Sequence, residues 1–432
     1  MRAHVKSSFY CALFCFVQHV TSSQVLLSQQ CWHERILQSV NLFTFADGYT
    51  QVVERLDGPI TIPESPSTHP SLYQPDTNDD FPWTHPPICT PRLPSINSKL
   101  CIYTNTSFSN NRGISIFTTP SLALSFANLP AFKDPTVFTS NSINTPSNTW
   151  QTSHLPNRGI GMLASRPLVF KDRVTAYTPA FLAFLETDLG TAEREKYWRA
   201  AVQRLPKKTR EMYEGLATLY GVESVKYQDV VKANAFQVEV RGGNHLALFP
   251  ETSRFNHDCA PNAQYIIDPD LLTHFVHVTR PIKEGEEITI AYTSPLDTTS
   301  HRQSHLQNAF HFKCSCARCT SSSTDTTLAT VASYQTSLND WSPTSTASPA
   351  MAEHLLDLYR QEGLEGFMDV PYGFAALAYS GVGDEAMARK FAEKAREACL
   401  LKDARGVSQG LAIWEGMLEE GVEKHWSWRR RV

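Results

Sequence analysis

Short stretches in which apolar and polar residues alternate dominate the middle of the chain. In AFQVEV, Phe236, Val238 and Val240 alternate with Gln237 and Glu239, which is typical of a half-buried strand. A glycine turn followed by two strands is predicted for RGIGMLASRPLVFKDRVTAYTP. The pattern predicts further strands in LCIYTNTSF, RGISIFTT, HLALF, HFVHV and EEITIAY.

Apolar residues at helical spacing occupy two other regions. Residues 191–221 are predicted to be helical, with Trp198, Val202 and Leu205 on one face and a break at Pro206. From residue 350 onward the spacing predicts three or four amphipathic helices, which resemble the antiparallel pairs of tetratricopeptide repeats but are too few for a full array. Strands and helices in separate blocks predict an α+β fold.

Composition divides the chain further. Residues 50–98 are rich in Pro, Ser, Thr and Asp and are predicted to form an irregular connector, while residues 320–349 read as a Ser/Thr-rich linker. The predicted organisation is an N-terminal extension that includes the connector, a strand-rich domain, the linker and a C-terminal helical region, over residues 24–150, 151–319, 320–349 and 350–432.

Residues 1–23 resemble a secretory signal peptide, because basic residues precede a short apolar run from Phe9 to Val17. If the chain is exported, Cys89 and Cys101 are candidates for a disulfide and Asn105 begins a glycosylation sequon. Export and retention both stay open at this stage. No stretch of the sequence is apolar for long enough to predict a membrane span.

The net charge of −4, from 39 basic and 43 acidic residues, argues against direct binding to a nucleic-acid backbone, which requires a basic face. The one dense basic run, Arg429–Arg431, is expected to be a solvated tail. Nothing in the composition indicates an oligomer, and a monomer is expected.

Four cysteines form the most specific local signal. Cys314, Cys316 and Cys319 follow one another within six residues, and thiolates at this spacing can wrap a tetrahedral Zn²⁺. Cys259, in the stretch RFNHDCAPN, is the candidate fourth ligand. Free buried thiols or a disulfide are the alternatives. A closed four-sulfur site of this kind is structural and leaves no position for a reacting water.

The order of five motifs adds to this picture. RGIGMLA, NAF, SRFNHDCAPN, GEEITIAY and FHFKCSCARC follow one another over residues 158–319, and the series resembles the SET-domain family of protein-lysine methyltransferases. The most similar variety has a cysteine-rich post-SET segment, as in SET/MYND enzymes, although no MYND cysteine pattern occurs here. The resemblance implies small curved sheets with a knot-like crossing, in which the NHDC segment threads beneath the GEE…Y segment.

The resemblance also implies roles for individual residues. Tyr292 is implied to be the catalytic tyrosine, and the lysine channel is implied to be lined by Phe236, Phe310 and Tyr292. The post-SET zinc is implied to fix one wall of that channel. The positions that match contacts of S-adenosylmethionine (SAM) are Gly159, Ile160, Gly161, Met162, Asn234, Ser253, Asn256, His257 and Phe312.

The expected function is therefore SAM-dependent methyl transfer to a lysine amine of a protein substrate, histone or non-histone. The alternatives are a catalytically silent SET-fold interaction module and an exported binding protein with oxidised cysteines. The family implies the nucleus or cytoplasm, whereas the signal-like N-terminus implies secretion.

Overall fold

The computed structural model describes residues 82–402 and 409–432. The predicted signal peptide and most of the predicted connector lie outside the described residues. All of the strands predicted from alternation are confirmed. The strands are β1 Ile88–Cys89, β2 Cys101–Asn105, β3 Ile114–Thr118, β4 Trp150–Leu155, β5 Gly159–Ala164, β6 Arg173–Tyr177, β7 Phe181–Phe184, β8 Phe236–Val240, β9 Gly243–Leu248, β10 Asn256–His257, β11 Ala263–Asp268, β12 Thr273–Val278 and β13 Glu287–Ile290.

The helices confirm the predicted helical blocks and add short ones. They are α1 Phe108–Asn111, α2 Pro120–Ala127, α3 Pro130–Lys133, α4 Thr136–Ser140, α5 Thr191–Gln203, α6 Lys207–Glu214, α7 Lys226–Asn234, α8 Thr299–Phe310, α9 Ala317–Thr320, α10 Thr324–Asn339, α11 Pro349–Gln361, α12 Asp369–Val382, α13 Glu385–Leu400 and α14 Gln409–Glu420, with 3₁₀ turns at Glu223–Val225, Thr252–Arg254, Glu365–Phe367 and Val422–Lys424. No helix in the described ranges has the length and apolar character needed to cross a lipid bilayer.

A six-stranded sheet, in the order β1-β2-β3-β7-β9-β8, forms the largest layer. Its side chains alternate between two cores, as the two-residue period of strands requires. Phe117 and Phe181 pack against the helices of residues 191–234, while their neighbours Ile116 and Leu182 face the short helices of residues 108–143. The sheet is therefore buried on both faces.

Two smaller sheets bring the sequence motifs together. The first has the order β10-β13-β5-β4, with Asn256 opposite Thr289 in a parallel pair of strands. In the same sheet Glu287 lies opposite Leu163 in an antiparallel pair. The NHDC, GEEITIAY and RGIGMLA segments are thus neighbours in one sheet. The second small sheet has the order β11-β12-β6.

The structure corrects the prediction of an irregular linker for residues 320–349. Residues 324–339 form α10, and Val331 and Leu338 enter the core of the C-terminal helices. Composition misled here because Ser and Thr occupy the exposed face of this helix, where they cost little. Helices α10 to α14 surround this core, while their tetratricopeptide-like character stays a prediction.

Two further segments differ from the expectation. Residues 88–89 of the predicted connector form a strand, in which Cys89 lies opposite Cys101. These two cysteines form the disulfide for which the sequence made them candidates. The terminal arginines are not all solvated: the guanidinium of Arg431 lies 3.7 Å from the ring centre of Trp341, and its Nη2 donates to the carbonyl oxygen of Leu338 at 2.7 Å. A cation–π contact of this kind fixes the end of the chain against α10.

Candidate functional site

Four sulfurs converge at the end of β10. Cys259 is fully buried, and its Sγ and those of Cys314, Cys316 and Cys319 all lie within 4.8 Å of one another. Cys259 and Cys319 have a sulfur–sulfur separation of 3.5 Å, which is too long for a disulfide. In a tetrahedral zinc site with Zn–S bonds of about 2.3 Å, the sulfurs are about 3.8 Å apart. The donor set and its spacing fit a structural Zn²⁺.

The four thiols influence one another's pKa through hydrogen bonds within the cluster. Hydrogen bonds to Cys314 and Cys316, together with burial, raise the pKa of the Cys259 thiol, whereas hydrogen bonds from Cys259 and Cys314 lower the pKa of Cys316. A divalent metal ion would allow all four sulfurs to be anionic together.

His257 joins the sulfur cluster to the strand that ends in Tyr292. Its Nδ1 accepts a hydrogen bond of 2.9 Å from the backbone N–H of Tyr292, so the ring proton lies on Nε2, which donates to Cys259 Sγ at 3.2 Å. Burial lowers the pKa of His257 to about 3, and the ring is neutral. Both ring nitrogens therefore face the protein, and the predicted contact with a cofactor falls to the main chain of this residue.

Tyr292 lies at the base of an aromatic cleft. Its hydroxyl donates to the carbonyl oxygen of Phe255 at 2.5 Å, and burial raises the pKa of the phenol. The ring centre of Phe310 lies 4.9 Å from that of Tyr292. The cleft has a volume of about 520 Å³ including its open mouth, and its aromatic lining consists of Phe236, Phe255, Tyr265, Tyr292 and Phe310.

Asn234 and Ser253 lie on the wall of the same cleft. Asn234 is the last residue of α7, and its side-chain amide donates to the carbonyl oxygens of Ala217 and Val230. Ser253 Oγ lies 3.1 Å from the carbonyl oxygen of Asn234, to which it donates. These bonds hold the end of α7 against the cleft.

Side chains close tightly around Gly161 of β5. A Cβ atom on Gly161 would lie 2.5 Å from Leu155 Cδ1, 2.8 Å from Glu287 Oε1 and 2.9 Å from Asn256 Nδ2. Glu287 and Asn256 are themselves joined by a hydrogen bond of 2.9 Å. Arg158 closes the group, with Nε 3.1 Å from Glu287 Oε2 and Nη2 donating to the carbonyl oxygen of His257. This polar cluster offers a carboxylate, an amide and a guanidinium, which are groups that can pair with a zwitterionic amino-acid group.

The remaining residues predicted to contact the cofactor lie on β5 and on the loop after α8. Gly159 has a φ of 70°, and Ile160 is 40% exposed at the surface, whereas Met162 is fully buried in the core beneath. The ring of Phe312 packs on the sulfur cluster, 6.1 Å from the ring centre of His257. The structure therefore brings Asn234, Phe236, Ser253, Tyr292 and Phe310 to one cleft and places Asn256 beside Gly161, whereas Phe312 lies against the sulfur cluster.

Sequence reasoning missed several residues of this site. The sequence assigns no role to Arg158 or Glu287, although both lie within the motifs RGIGMLA and GEEITIAY. Tyr265 was not singled out, although it lies in the cleft and stacks on His274, with ring centres 4.8 Å apart. Alternation along β11 could have indicated Tyr265 as an inward residue, but no local signal distinguishes a cleft from a core.

Comparisons with known proteins match this region. Residues 136–293 match the model of the SET domain. The chain is 31% identical over 166 residues to the histone-lysine N-methyltransferase set5 of Schizosaccharomyces pombe, covering 38% of this chain and 48% of that protein. It is 38% identical over 94 residues to the SET domain-containing protein SmydA-8 of Drosophila melanogaster, covering 21% and 20%. It is 33% identical over 97 residues to human N-lysine methyltransferase SMYD2, covering 22% of each chain. The match thus spans at most about half of these relatives.

Proposed function

We propose that this chain transfers a methyl group from SAM to a lysine amine of a protein substrate. The proposal starts from the match of residues 136–293 to the SET domain and from the similarity of the chain to proteins named lysine methyltransferases. The observation that carries the proposal is the position of Tyr292 in a cleft whose aromatic lining also includes Phe236 and Phe310. Histones and other lysine-bearing proteins both belong to the proposed substrate class.

The cleft would select the neutral amine. A free lysine has a pKa of about 10.4, so it enters as an ammonium, and an aromatic lining offers little to replace the water around that charge. The lysine would give its proton to solvent on entering, and its lone pair would then face the methyl group. The protein contributes orientation and desolvation.

Tyr292 would hold the amine nitrogen in line with the methyl group of SAM. Its hydroxyl proton is engaged by the carbonyl oxygen of Phe255, so the phenol oxygen is left to accept a hydrogen bond from the substrate N–H. Because burial raises its pKa, the phenol stays protonated and does not act as a base.

The proposed cofactor site is the polar cluster around Gly161, formed by Arg158, Asn256 and Glu287, together with the main chain of His257. SAM supplies an electrophilic methyl group when bound. The carboxylate of Glu287 would pair with an ammonium group, and Asn256 would offer its amide to a carboxylate.

The proposal includes a structural Zn²⁺ held by Cys259, Cys314, Cys316 and Cys319. It would fix the loop after α8, from which Phe312 packs on the sulfur cluster. We also propose that the parallel pairing of β10 and β13 belongs to the knot-like crossing of the family.

A transfer assay tests the proposed activity. The purified chain is incubated with methyl-labelled SAM and a panel that contains histones and other proteins. The Tyr292→Phe variant is assayed alongside, with Tyr334→Phe as a control at a half-buried tyrosine of the C-terminal helices. We expect label on protein with the wild type and the control, and a loss of at least ~10²-fold with Tyr292→Phe. A folded wild-type chain that binds no SAM and labels no protein would overturn the proposal.

A further inference from the structure

A surface turn follows strand β2. The turn consists of Asn105, Thr106 and Ser107, which form the one Asn-x-Ser/Thr sequon in the sequence. Asn105 ends β2, and Ser107 is exposed. The backbone N–H of Ser107 donates a hydrogen bond of 2.9 Å to Asn105 Oδ1. The sequon therefore lies at the surface, where a bulky glycan can be accommodated.

The side-chain nitrogen of Asn105 takes no part in holding this turn. Among the described residues, Asn105 Nδ2 is neither hydrogen-bonded nor sealed from solvent. The side chain is secured through Oδ1 alone, by the bond from Ser107. A substituent on Nδ2 would therefore break no hydrogen bond within the described part of the chain.

The strand that carries the sequon is also joined to its neighbour by a disulfide. Cys101 begins β2, four residues before Asn105, and is bonded to Cys89 of β1. Disulfides form and persist in secreted proteins and in the lumen of the endoplasmic reticulum, whereas the cytosol and nucleus keep thiols reduced. N-glycosylation belongs to the same export route, so the two features point to one compartment.

The other cysteines of the described residues are also compatible with an oxidising compartment. None of them is exposed. Cys399 is buried in the C-terminal core, and the remaining four share the sulfur cluster. A reduced thiol at the surface would be open to oxidation or to mispairing in such a compartment, because the reactivity of a thiol follows its exposure. The described part of the chain presents no such thiol.

We propose that Asn105 is an N-glycosylation site, modified as the chain enters the secretory pathway. The donor is an oligosaccharide carried on a lipid diphosphate. A bond forms between Asn105 Nδ2 and the anomeric carbon, the bond from that carbon to the diphosphate oxygen breaks, and the nitrogen loses one proton as the lipid diphosphate leaves. The Ser107 hydroxyl completes the acceptor sequence. The signal-like stretch of residues 1–23, which lies outside the described residues, is the predicted means of entry.

Expression of the full chain with its own N-terminus in a eukaryotic host tests the site without using activity. The chain is recovered from cells and medium and treated with a peptide N-glycosidase, which removes an N-linked glycan and leaves Asp in place of the acceptor Asn. Asn105→Gln and Ser107→Ala both destroy the sequon, whereas Ser107→Thr keeps it. The matched control is Asn128→Gln, which replaces an exposed asparagine outside any sequon.

We expect the glycosidase to lower the apparent mass of wild type, Ser107→Thr and Asn128→Gln, with Asp found at position 105 by peptide mass spectrometry. Asn105→Gln and Ser107→Ala should show no change. An unmodified Asn105 in the wild-type chain, or an N-linked glycan that persists in Ser107→Ala, would overturn the inference. If Asn105→Gln does not fold, Ser107→Ala decides, because it alters only an exposed side chain. The inference is independent of the proposed methyl transfer, which a separate assay measures.

Discussion

His257 Nδ1 accepts a hydrogen bond of 2.9 Å from the backbone N–H of Tyr292. The other nitrogen of the same ring lies 3.2 Å from Cys259 Sγ. One neutral imidazole thus connects a candidate metal ligand to the strand that carries the candidate catalytic tyrosine. A change at the sulfur cluster can shift Tyr292 through this single side chain.

Replacing His257 with Ala should destabilise the fold, because the variant leaves the backbone N–H of Tyr292 without its acceptor. A buried donor left unpaired costs about 1–3 kcal/mol. Urea unfolding of the zinc-loaded chain measures the loss, with the exposed His354→Ala as control. An unchanged free energy of unfolding in His257→Ala would contradict the connecting role.

Replacing Cys259 with Ala should abolish stoichiometric zinc binding, since three sulfurs cannot close a tetrahedral site. Metal content after exhaustive dialysis measures this directly. Cys399→Ala is the matched control, because Cys399 is also buried and free of a disulfide but lies in the C-terminal core. Undiminished zinc in Cys259→Ala would show that this cysteine is not a ligand.

Gly161→Ala should weaken SAM binding by at least ~10-fold, because the added Cβ would lie under 3.0 Å from the side chains of Glu287 and Asn256. Calorimetric titration with SAM measures the effect. Gly416→Ala is the control, since a Cβ at that helical glycine meets no atom within 4 Å. Equal affinities in the two variants would place the cofactor elsewhere.

Acid should destabilise the chain through its buried histidines. Burial lowers the pKa of His245 from 6.5 to about 4, and the ring is bonded to Thr118 and Gly243. The unfolded chain binds a proton at this residue below pH 6.5, whereas the folded chain does so only near pH 4. The free energy of unfolding therefore falls as pH drops through this window, by up to about 1.4 kcal/mol per pH unit for this residue.

Urea titrations at several pH values between about 7 and 4 test that account. The variant His245→Gln should show a shallower decline than wild type, because it has lost one titrating group. The exposed variant His354→Gln should retain the wild-type slope. A slope in His245→Gln equal to that of wild type would remove His245 from the explanation.

The sequence predicted the strands and the sulfur cluster well, for identifiable reasons. Alternation in AFQVEV and HFVHV reports burial on one face, and three cysteines within six residues restrict their sulfurs to one neighbourhood. The convergence of Cys259 with them depends on the parallel pairing of β10 with β13, which no local pattern encodes. That part came from the family resemblance.

Long-range charge and packing relationships could not be predicted. Arg302 is typical of a helical arginine in sequence, and only the folded chain shows that it is fully buried. Helix α10 was hidden by its Ser/Thr content, although Leu328, Val331 and Leu338 recur at helical spacing on its buried face. Arg431 is likewise held by Trp341, a contact between residues far apart in sequence.

The most direct measurement of the central claim is the identity of the methylated residue in a protein substrate. After incubation with methyl-labelled SAM, the labelled protein is hydrolysed and its amino acids are separated. The account predicts label in methyl-lysine, abolished by Tyr292→Phe and retained in Tyr334→Phe. Label in methyl-arginine or methyl-histidine, or methyl-lysine formed equally well by Tyr292→Phe, would contradict it.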